Sequence, residues 1–292
     1  MLFTRKKEPF YARKKTITLD GRLIEIDHPM VMGILNVTSD SFYDGGKYVS
    51  NKAILKRAEK ILEEGGEIID IGAYSTRPGA RDIPVLEEVD KLKSAVRMVR
   101  KEFPDAIISI DTFRASVARD IVNETGPCII NDISGGTMDD KMFETVAELG
   151  VPYIMMHIQG TPKTMQQNPH YNDVVQEILM FFAERVQQLK LLGVKDVILD
   201  PGFGFGKSVD HNFELMNRLD SFGLFQFPLL VGVSRKSMIW KLLGTTAAES
   251  LTGTTTLNTV ALMGGADILR VHDVREAVET IKIYSKLKSM VK

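Results

Sequence analysis

Polar side chains follow most of the apolar runs in this sequence, at the points where a strand would give way to a loop. Four of them, Asp111, Asn131, Asp200 and Lys236, combine two carboxylates, an amide and an ammonium group. If they converge, they offer hydrogen-bond acceptors, an amide with both functions and a fixed donor. Such a lining suits a flat heterocycle with a guanidine-like edge, because a carboxylate accepts two parallel N–H bonds from that edge.

Arg270, near the end of the last apolar run, and His272, directly after that run, indicate an anion-binding function. Arginine supplies a planar fork that suits phosphate and can also stack on an aromatic ring. Any one polar residue at a strand end has a simple alternative explanation, since loops face water. The number of such positions favours a site, because further polar residues stand at the other strand ends: Asn36, Asp70, Asp132, His157 and Ser234.

A repeated strand–loop–helix unit positions these residues. The unit predicts a (β/α)8 barrel, because nearly apolar strands that alternate with helices pair in parallel and are buried on both faces. A doubly wound open sheet is the alternative. The eight apolar runs are 31–37, 67–73, 107–112, 128–133, 151–158, 196–199, 228–233 and 267–271.

The start of the chain predicts a β-hairpin arm ahead of the barrel. Residues 15–19 and 24–27 alternate polar and apolar side chains around Asp20-Gly21, a strong two-residue turn. We therefore expect an arm over residues 1–30 and a single catalytic domain over residues 31–292.

Composition excludes several classes of protein. The 292 residues carry a net charge of −1, which argues against a nucleic-acid partner. No apolar window reaches the roughly 18 residues of a membrane span, and no signal peptide is visible. The single cysteine, Cys128, excludes an internal disulfide. We expect a cytoplasmic protein without a membrane partner.

Other motifs carry weaker signals. The glycine-rich stretch 201–208 lacks the first glycine of a Walker phosphate loop, and predicts instead a strand exit where a ligand lies close to the backbone. The five histidines lack the spacing of a transition-metal site. Two polar loops, 38–46 and 74–80, have the composition of active-site lids, which ordinary surface turns share.

Seven ordered motifs between Met32 and Val274 resemble those of dihydropteroate synthases, in that family's order and spacing. Together they are specific, although each alone would be weak. The motifs are 32–42 (MGILNVTSDSF), 75–79 (STRPG), 111–112 (DT), 131–133 (NDI), 200–205 (DPGFGF), 234–237 (SRKS) and 270–274 (RVHDV).

The resemblance implies the (β/α)8 fold and a transferase of folate biosynthesis. Its reaction joins 4-aminobenzoate to 6-hydroxymethyl-7,8-dihydropterin diphosphate and releases pyrophosphate. An SN1-like displacement follows, because the electron-rich dihydropterin can share the positive charge left on its exocyclic carbon. The resemblance further implies Mg²⁺ as cofactor, a homodimer, and membership of a family that is a sulfonamide target, while the sequence leaves the sulfonamide sensitivity of this protein open.

Carried over by position, the resemblance implies a role for each matching residue. Catalytic roles fall to Asn36, Asp44, Lys236, Arg270 and His272. Pterin binding falls to Asp111, Asn131, Asp200, Lys236 and Arg270, diphosphate binding to Asn36, Arg270 and His272, and Mg²⁺ binding to Asn36. Aminobenzoate binding falls to Phe42, Thr76, Arg77, Pro78, Lys236 and Ser237.

Two departures from the family pattern lie beside the expected aminobenzoate pocket. Ser39 stands where the family usually has proline, and Ala73-Tyr74 stands where Gly-Glu is common.

Two other functions remain as alternatives: a corrinoid-linked methyltransferase module that also binds a pterin, and a pterin- or phosphate-binding protein without catalysis. Neither needs the complete set Asn36, Lys236, Arg270 and His272 that this sequence retains.

Overall fold

The computed structural model of the protein describes residues 14–37, 47–75 and 81–290. In these ranges, the first two strands form the hairpin, and eight parallel strands alternate with helices. The strands are β1 (Thr16–Leu19), β2 (Arg22–Glu25), β3 (Met30–Asn36), β4 (Ile68–Gly72), β5 (Ile107–Asp111), β6 (Ile129–Asp132), β7 (Tyr153–Met156), β8 (Val197–Asp200), β9 (Leu230–Val231) and β10 (Ile268–Val271).

The helices of the described ranges surround the strands. Left-handed glycines such as Gly126 and Gly150 end their helices. The helices are α1 (Lys47–Glu63), α2 (Val85–Glu102), α3 (Ala115–Thr125), α4 (Met142–Leu149), α5 (Val174–Leu191), α6 (Val209–Asn217), a 3-10 helix (Leu219–Phe225), α7 (Ser237–Leu243), α8 (Leu251–Met263) and α9 (Val274–Ser289).

The eight parallel strands close into a barrel. Their order is β8-β7-β6-β5-β4-β3-β10-β9, and a parallel bridge between Leu199 and Leu229 joins its two ends. The backbone N–H of Leu199 donates to Pro228 at 2.9 Å in the same place. Closure confirms the predicted (β/α)8 fold and excludes the open sheet.

The predicted β-hairpin is confirmed, and it covers the bottom of the barrel. Asp20 and Gly21 both have positive φ, as a tight two-residue hairpin turn requires. Ile17, Leu19 and Ile26 are buried against residues from the amino-terminal ends of the barrel strands. Burying each such side chain contributes about 1.5–3 kcal/mol relative to exposure, so the arm is part of the core.

The alternation of side chains along each strand separates two apolar layers. Ile108 and Ile110 of β5 pack in the cluster that faces the helices. Ser109 and Asp111 therefore face the barrel interior, since neighbouring residues point to opposite sides of a strand. In this way, the carboxyl ends of the strands bring polar side chains to one mouth. Among the described residues, no helix is both long and apolar enough to cross a membrane.

Candidate active site

Arg270 lies at the centre of the barrel mouth and joins three strands. Its Nε donates to Oδ2 of Asp70 on β4 at 2.7 Å, and its Nη2 donates to Oδ2 of Asp111 on β5 at 2.6 Å. Asp70 has no exposed surface. The guanidinium is thus held by two carboxylates from neighbouring strands, in the geometry that fixes a planar fork.

This arrangement shifts the protonation of both partners. Burial raises the pKa of Asp111 to about 7, against the lowering effect of Arg270 and with a smaller upward contribution from Asp70. Burial lowers the pKa of Arg270, but the two carboxylates outweigh it, and the net pKa is higher than usual. Arg270 is therefore a permanent cation, whereas Asp111 exchanges its proton near neutral pH.

Asn131 of β6 extends the same network. Its Nδ2 lies 3.3 Å and 3.2 Å from the two oxygens of Asp70, and only 3% of the residue is exposed. The register pairs Asp111 with Asn131 on adjacent strands, so both side chains reach the mouth at one level. Together they offer an acceptor and an amide to a planar ligand.

Asp200 and Lys236 form the opposite side of the mouth. Oδ1 of Asp200 accepts from the backbone N–H of Gly202 at 2.8 Å. Nζ of Lys236 donates to the carbonyl oxygen of Phe203 and lies 4.6 Å from the ring centre of Phe205. Burial lowers the pKa of Lys236 to about 8, with Asp200 acting to raise it. Burial also raises the pKa of Asp200.

Asn36, His272 and Ser237 lie around this centre. Met32 of β3 belongs to the interior cluster, so Asn36, four residues on, faces the same side and is exposed at the mouth. His272 follows β10, and its backbone N–H donates to Oγ of Ser234 at 3.1 Å. Ser237 is the first residue of α7, directly after Lys236.

The match to known proteins agrees with this geometry. The model of the pterin-binding enzyme family matches residues 32–272. The dihydropteroate synthase of Escherichia coli strain K12 is 43% identical over 265 residues, which cover 90% of this chain and 93% of that protein. The chain belongs to the dihydropteroate synthase family. It is accordingly an enzyme of the transferase class.

Other dihydropteroate synthases match at similar levels. That of Haemophilus influenzae is 41% identical, with 91% of this chain and 96% of that protein covered. A Yersinia pestis dihydropteroate synthase in a sulfonamide drug complex has a TM-score of 0.87 and 39% identity, covering 94% and 99% of the two chains. A Xanthomonas albilineans dihydropteroate synthase with 4-aminobenzoic acid has a TM-score of 0.87 and 34% identity, at the same coverage.

Not every expected position of the synthase family site can be described. Asn36, Asp111, Asn131, Asp200, Lys236, Ser237, Arg270 and His272 all lie at the mouth. Phe42, Asp44, Thr76, Arg77 and Pro78 fall outside the described residues, as does Ser39 among the departures. The roles given to those five stay predictions, as do the ligand roles of the eight residues at the mouth.

Sequence reasoning missed three residues that shape the synthase site. Asp70 was recognised as a polar strand end but not as the partner of Arg270. Lys207 is buried, its Nζ lying 3.0 Å from Nδ1 of His157 and donating to the carbonyl of Gly202 at 2.9 Å. Nε and Nη2 of Arg235 each donate to a carboxylate oxygen of Asp273 at 2.9 Å. Of the three, only Arg235 lies inside one of the seven motifs, while Lys207 lies in the glycine-rich stretch 201–208.

Two of these residues, Lys207 and Arg235, hold the loops that carry the site. Lys207 ties the glycine-rich segment after Asp200 to the end of β7, and burial lowers its pKa well below the usual value. The Arg235–Asp273 pair ties the turn before Lys236 to the exit of β10. Both contacts fix backbone whose carbonyls and side chains border the mouth.

Proposed function

We propose that the protein condenses 6-hydroxymethyl-7,8-dihydropterin diphosphate with 4-aminobenzoate, giving 7,8-dihydropteroate and pyrophosphate for folate biosynthesis. One observation supports this function most directly. The guanidinium of Arg270 suits a diphosphate, and Asp70 and Asp111 fix it beside the amide of Asn131. A pterin and a diphosphate on the same molecule need these two kinds of partner side by side.

The polar walls of the mouth are suited to the pterin. Asp111 and Asp200 would accept from the N–H groups of its guanidine-like edge, while Lys236 donates to ring acceptors. The side-chain amide of Asn131 would bind the pterin edge between these groups, with one hydrogen-bond donor and one acceptor. Arg270 would stack on the ring and reach the diphosphate from there.

The reaction begins with cleavage of the C–O bond between the exocyclic carbon and the diphosphate. The bonding electron pair leaves with pyrophosphate, whose charge Arg270, His272 and Asn36 would hold. The dihydropterin ring shares the positive charge on the carbon. The nitrogen of 4-aminobenzoate then forms the new C–N bond and loses a proton. This SN1-like course needs no covalent enzyme intermediate.

Asn36 fits the Mg²⁺ that the family implies. Mg²⁺ keeps several waters and binds substrate phosphates with few protein ligands. Within the described part of the chain, no group of three His, Cys, Asp or Glu side chains could hold a metal ion. The exposed amide oxygen of Asn36 beside β10 suits an ion carried by the diphosphate. When bound, Mg²⁺ supplies charge neutralisation of the leaving group.

The aminobenzoate would lie between Lys236 and Ser237 and the two loops. We assign Phe42, Thr76, Arg77 and Pro78 to its pocket on the family match, and Asp44 to stabilising positive charge near the metal. A sulfonamide occupies the Yersinia pestis relative's structure. We therefore expect sulfonamides to inhibit this protein in competition with 4-aminobenzoate.

Pyrophosphate release tests the proposed function. The protein is incubated with the dihydropterin diphosphate and Mg²⁺, with and without 4-aminobenzoate. Release coupled one-to-one to dihydropteroate supports the proposal. Pterin binding without either product contradicts it and turns attention to a binding protein or a methyltransferase.

We further propose a homodimer in the cytoplasm. Ile283 and Leu287 on α9 are exposed and line an apolar groove with Met263 of α8, and an exposed apolar surface of this kind favours burial between copies. Cys128 is a free, buried thiol, as suits a reducing compartment. Sedimentation of the protein and of an Ile283→Glu variant tests the assembly: the variant is expected to be monomeric.

A further inference from the structure

Asp70 lies directly beneath the proposed pterin and diphosphate subsites, on the interior face of β4. It has no exposed surface, so no ligand touches it in this conformation. Both of its oxygens are engaged by these two residues. Oδ2 accepts from Nε of Arg270 at 2.7 Å, and Nδ2 of Asn131 lies within 3.3 Å of both oxygens.

The carboxylate of Asp70 sets the orientation of the Asn131 side-chain amide. The Asp70 carboxylate paired with a guanidinium can only accept hydrogen bonds, so the NH2 group of Asn131 must face it. The carbonyl oxygen Oδ1 is then directed away from Asp70. Rotating the amide by half a turn would set two oxygens against each other in a buried place, which is costly. Asn131 therefore presents its side-chain amide to a ligand in one fixed orientation, with Oδ1 directed away from Asp70.

The same carboxylate also decides which part of Arg270 remains for a ligand. Nε is used by Asp70, and Nη2 lies 2.7 Å from Asp70 and 2.6 Å from Asp111. Within the described residues, Nη1 donates to no protein acceptor. The two N–H bonds of Nη1 are therefore the part of the Arg270 guanidinium that can bind an anion, and Asp70 sets their direction.

We propose that Asp70 is a positioning residue with two effects: it fixes the polarity with which Asn131 meets the pterin, and it aims Nη1 of Arg270 at the diphosphate. It acts on both subsites without touching either ligand. This inference rests on the proposed function, and it adds a residue that couples the two halves of the diphosphate substrate.

The test uses Asp70→Asn, which keeps the shape of the side chain and removes its charge. Calorimetry measures three ligands separately: 6-hydroxymethyl-7,8-dihydropterin, pyrophosphate with Mg²⁺, and 4-aminobenzoate in the presence of pyrophosphate at a concentration that saturates the protein under test. The variant is expected to bind the first two about 10- to 100-fold more weakly, the range for losing a hydrogen bond to a charged group. Binding of 4-aminobenzoate should change less than about threefold.

Asp132→Asn is the matched control. Asp132 is equally buried, also at a strand end, and accepts from Ser134, Gly136 and Tyr153 on the helix side. Its substitution removes a buried charge without touching the mouth. We expect a lower melting temperature for this variant with all three affinities within about twofold of the wild type. A uniform loss in both variants would identify Asp70 as merely structural and overturn the inference.

Two other results would also decide the matter. If Asp70→Asn binds the pterin and pyrophosphate as the wild type does, the inference is wrong and the proposed function stands. If the wild type binds neither the pterin nor pyrophosphate, both the inference about Asp70 and the proposed function are wrong. If the variant fails to fold, neutron diffraction of wild-type crystals replaces it: deuterium on Nδ2 of Asn131 facing Asp70 supports the inference, and Oδ1 facing a protonated Asp70 overturns it.

Discussion

The dependence of activity on pH follows from two groups on opposite sides of the mouth. Asp111 must be ionised to accept from the pterin, and its pKa of about 7 is raised first by burial. Lys236 must be protonated to donate, and burial lowers its pKa to about 8. Activity is therefore lost as pH falls through about 7 and again as it rises through about 8, and kcat/KM is bell-shaped with a maximum near pH 7.5.

The size of the effect follows from the two titrations. At pH 7.5, roughly three quarters of each group is in the active form, so roughly 60% of the enzyme is competent. At pH 6, Asp111 is only about one tenth ionised, and at pH 9 Lys236 is only about one tenth protonated. We expect kcat/KM for the dihydropterin diphosphate to be about sixfold lower at both extremes.

The assay measures kcat/KM from pH 5.5 to 9.5 at constant ionic strength, with the titration of the substrate recorded separately. Lys236→Arg separates the two limbs, because a guanidinium keeps its proton throughout this range. The variant should be less active overall, yet its alkaline limb should disappear while the acid limb stays. A profile of the wild type that is flat between pH 6 and pH 9 would refute this account, as would an alkaline limb that survives in the variant.

Three further predictions concern stability and the metal. Tyr153→Phe removes the 2.6 Å hydrogen bond to buried Asp132 and should cost about 2 kcal/mol in urea unfolding, with kcat/KM unchanged because the contact lies on the helix side. Gly202→Ala would place a Cβ 1.9 Å from a backbone oxygen at a φ of +73°, so a loss of about 3 kcal/mol is expected. Gly150→Ala, at +62° with nothing within 4 Å, is its control and should lose only about 1 kcal/mol; equal losses would contradict the role of the clash. Chelation of Mg²⁺ by EDTA should reduce pyrophosphate release at least about tenfold, and added Mg²⁺ should restore it; undiminished release would exclude the metal.

The barrel could be predicted from sequence because its cause is local. Each strand is an almost uninterrupted apolar run, and helices such as α3 and α4 end at a glycine. The exception is β9, predicted over 228–233 but only two residues long. Pro228 has no N–H to donate to a ladder, and a single bridge at Leu229 is enough to close the barrel there.

The polar centre could be predicted only in part. The residues that would face the ligand stand at strand ends and were recognisable there. Their supports were not, because Asp70 and Arg270 are 200 positions apart in sequence and no spacing reveals that they pair. Lys207 was hidden for another reason: its partners are mostly backbone carbonyls, which every sequence possesses.

The hairpin at the bottom of the barrel has a consequence for the order in which the protein forms. Its apolar residues share one buried cluster with residues from strands all around the barrel, from Met30 on β3 to Ile268 on β10. During synthesis, Ile26 emerges about 240 residues before Ile268, which is on the order of 10–50 s at ordinary ribosomal speed. For that interval, the docking surface of the hairpin does not exist. Sealing of the barrel floor is therefore a late step of biogenesis, although the segment that performs it is made long before the last strand.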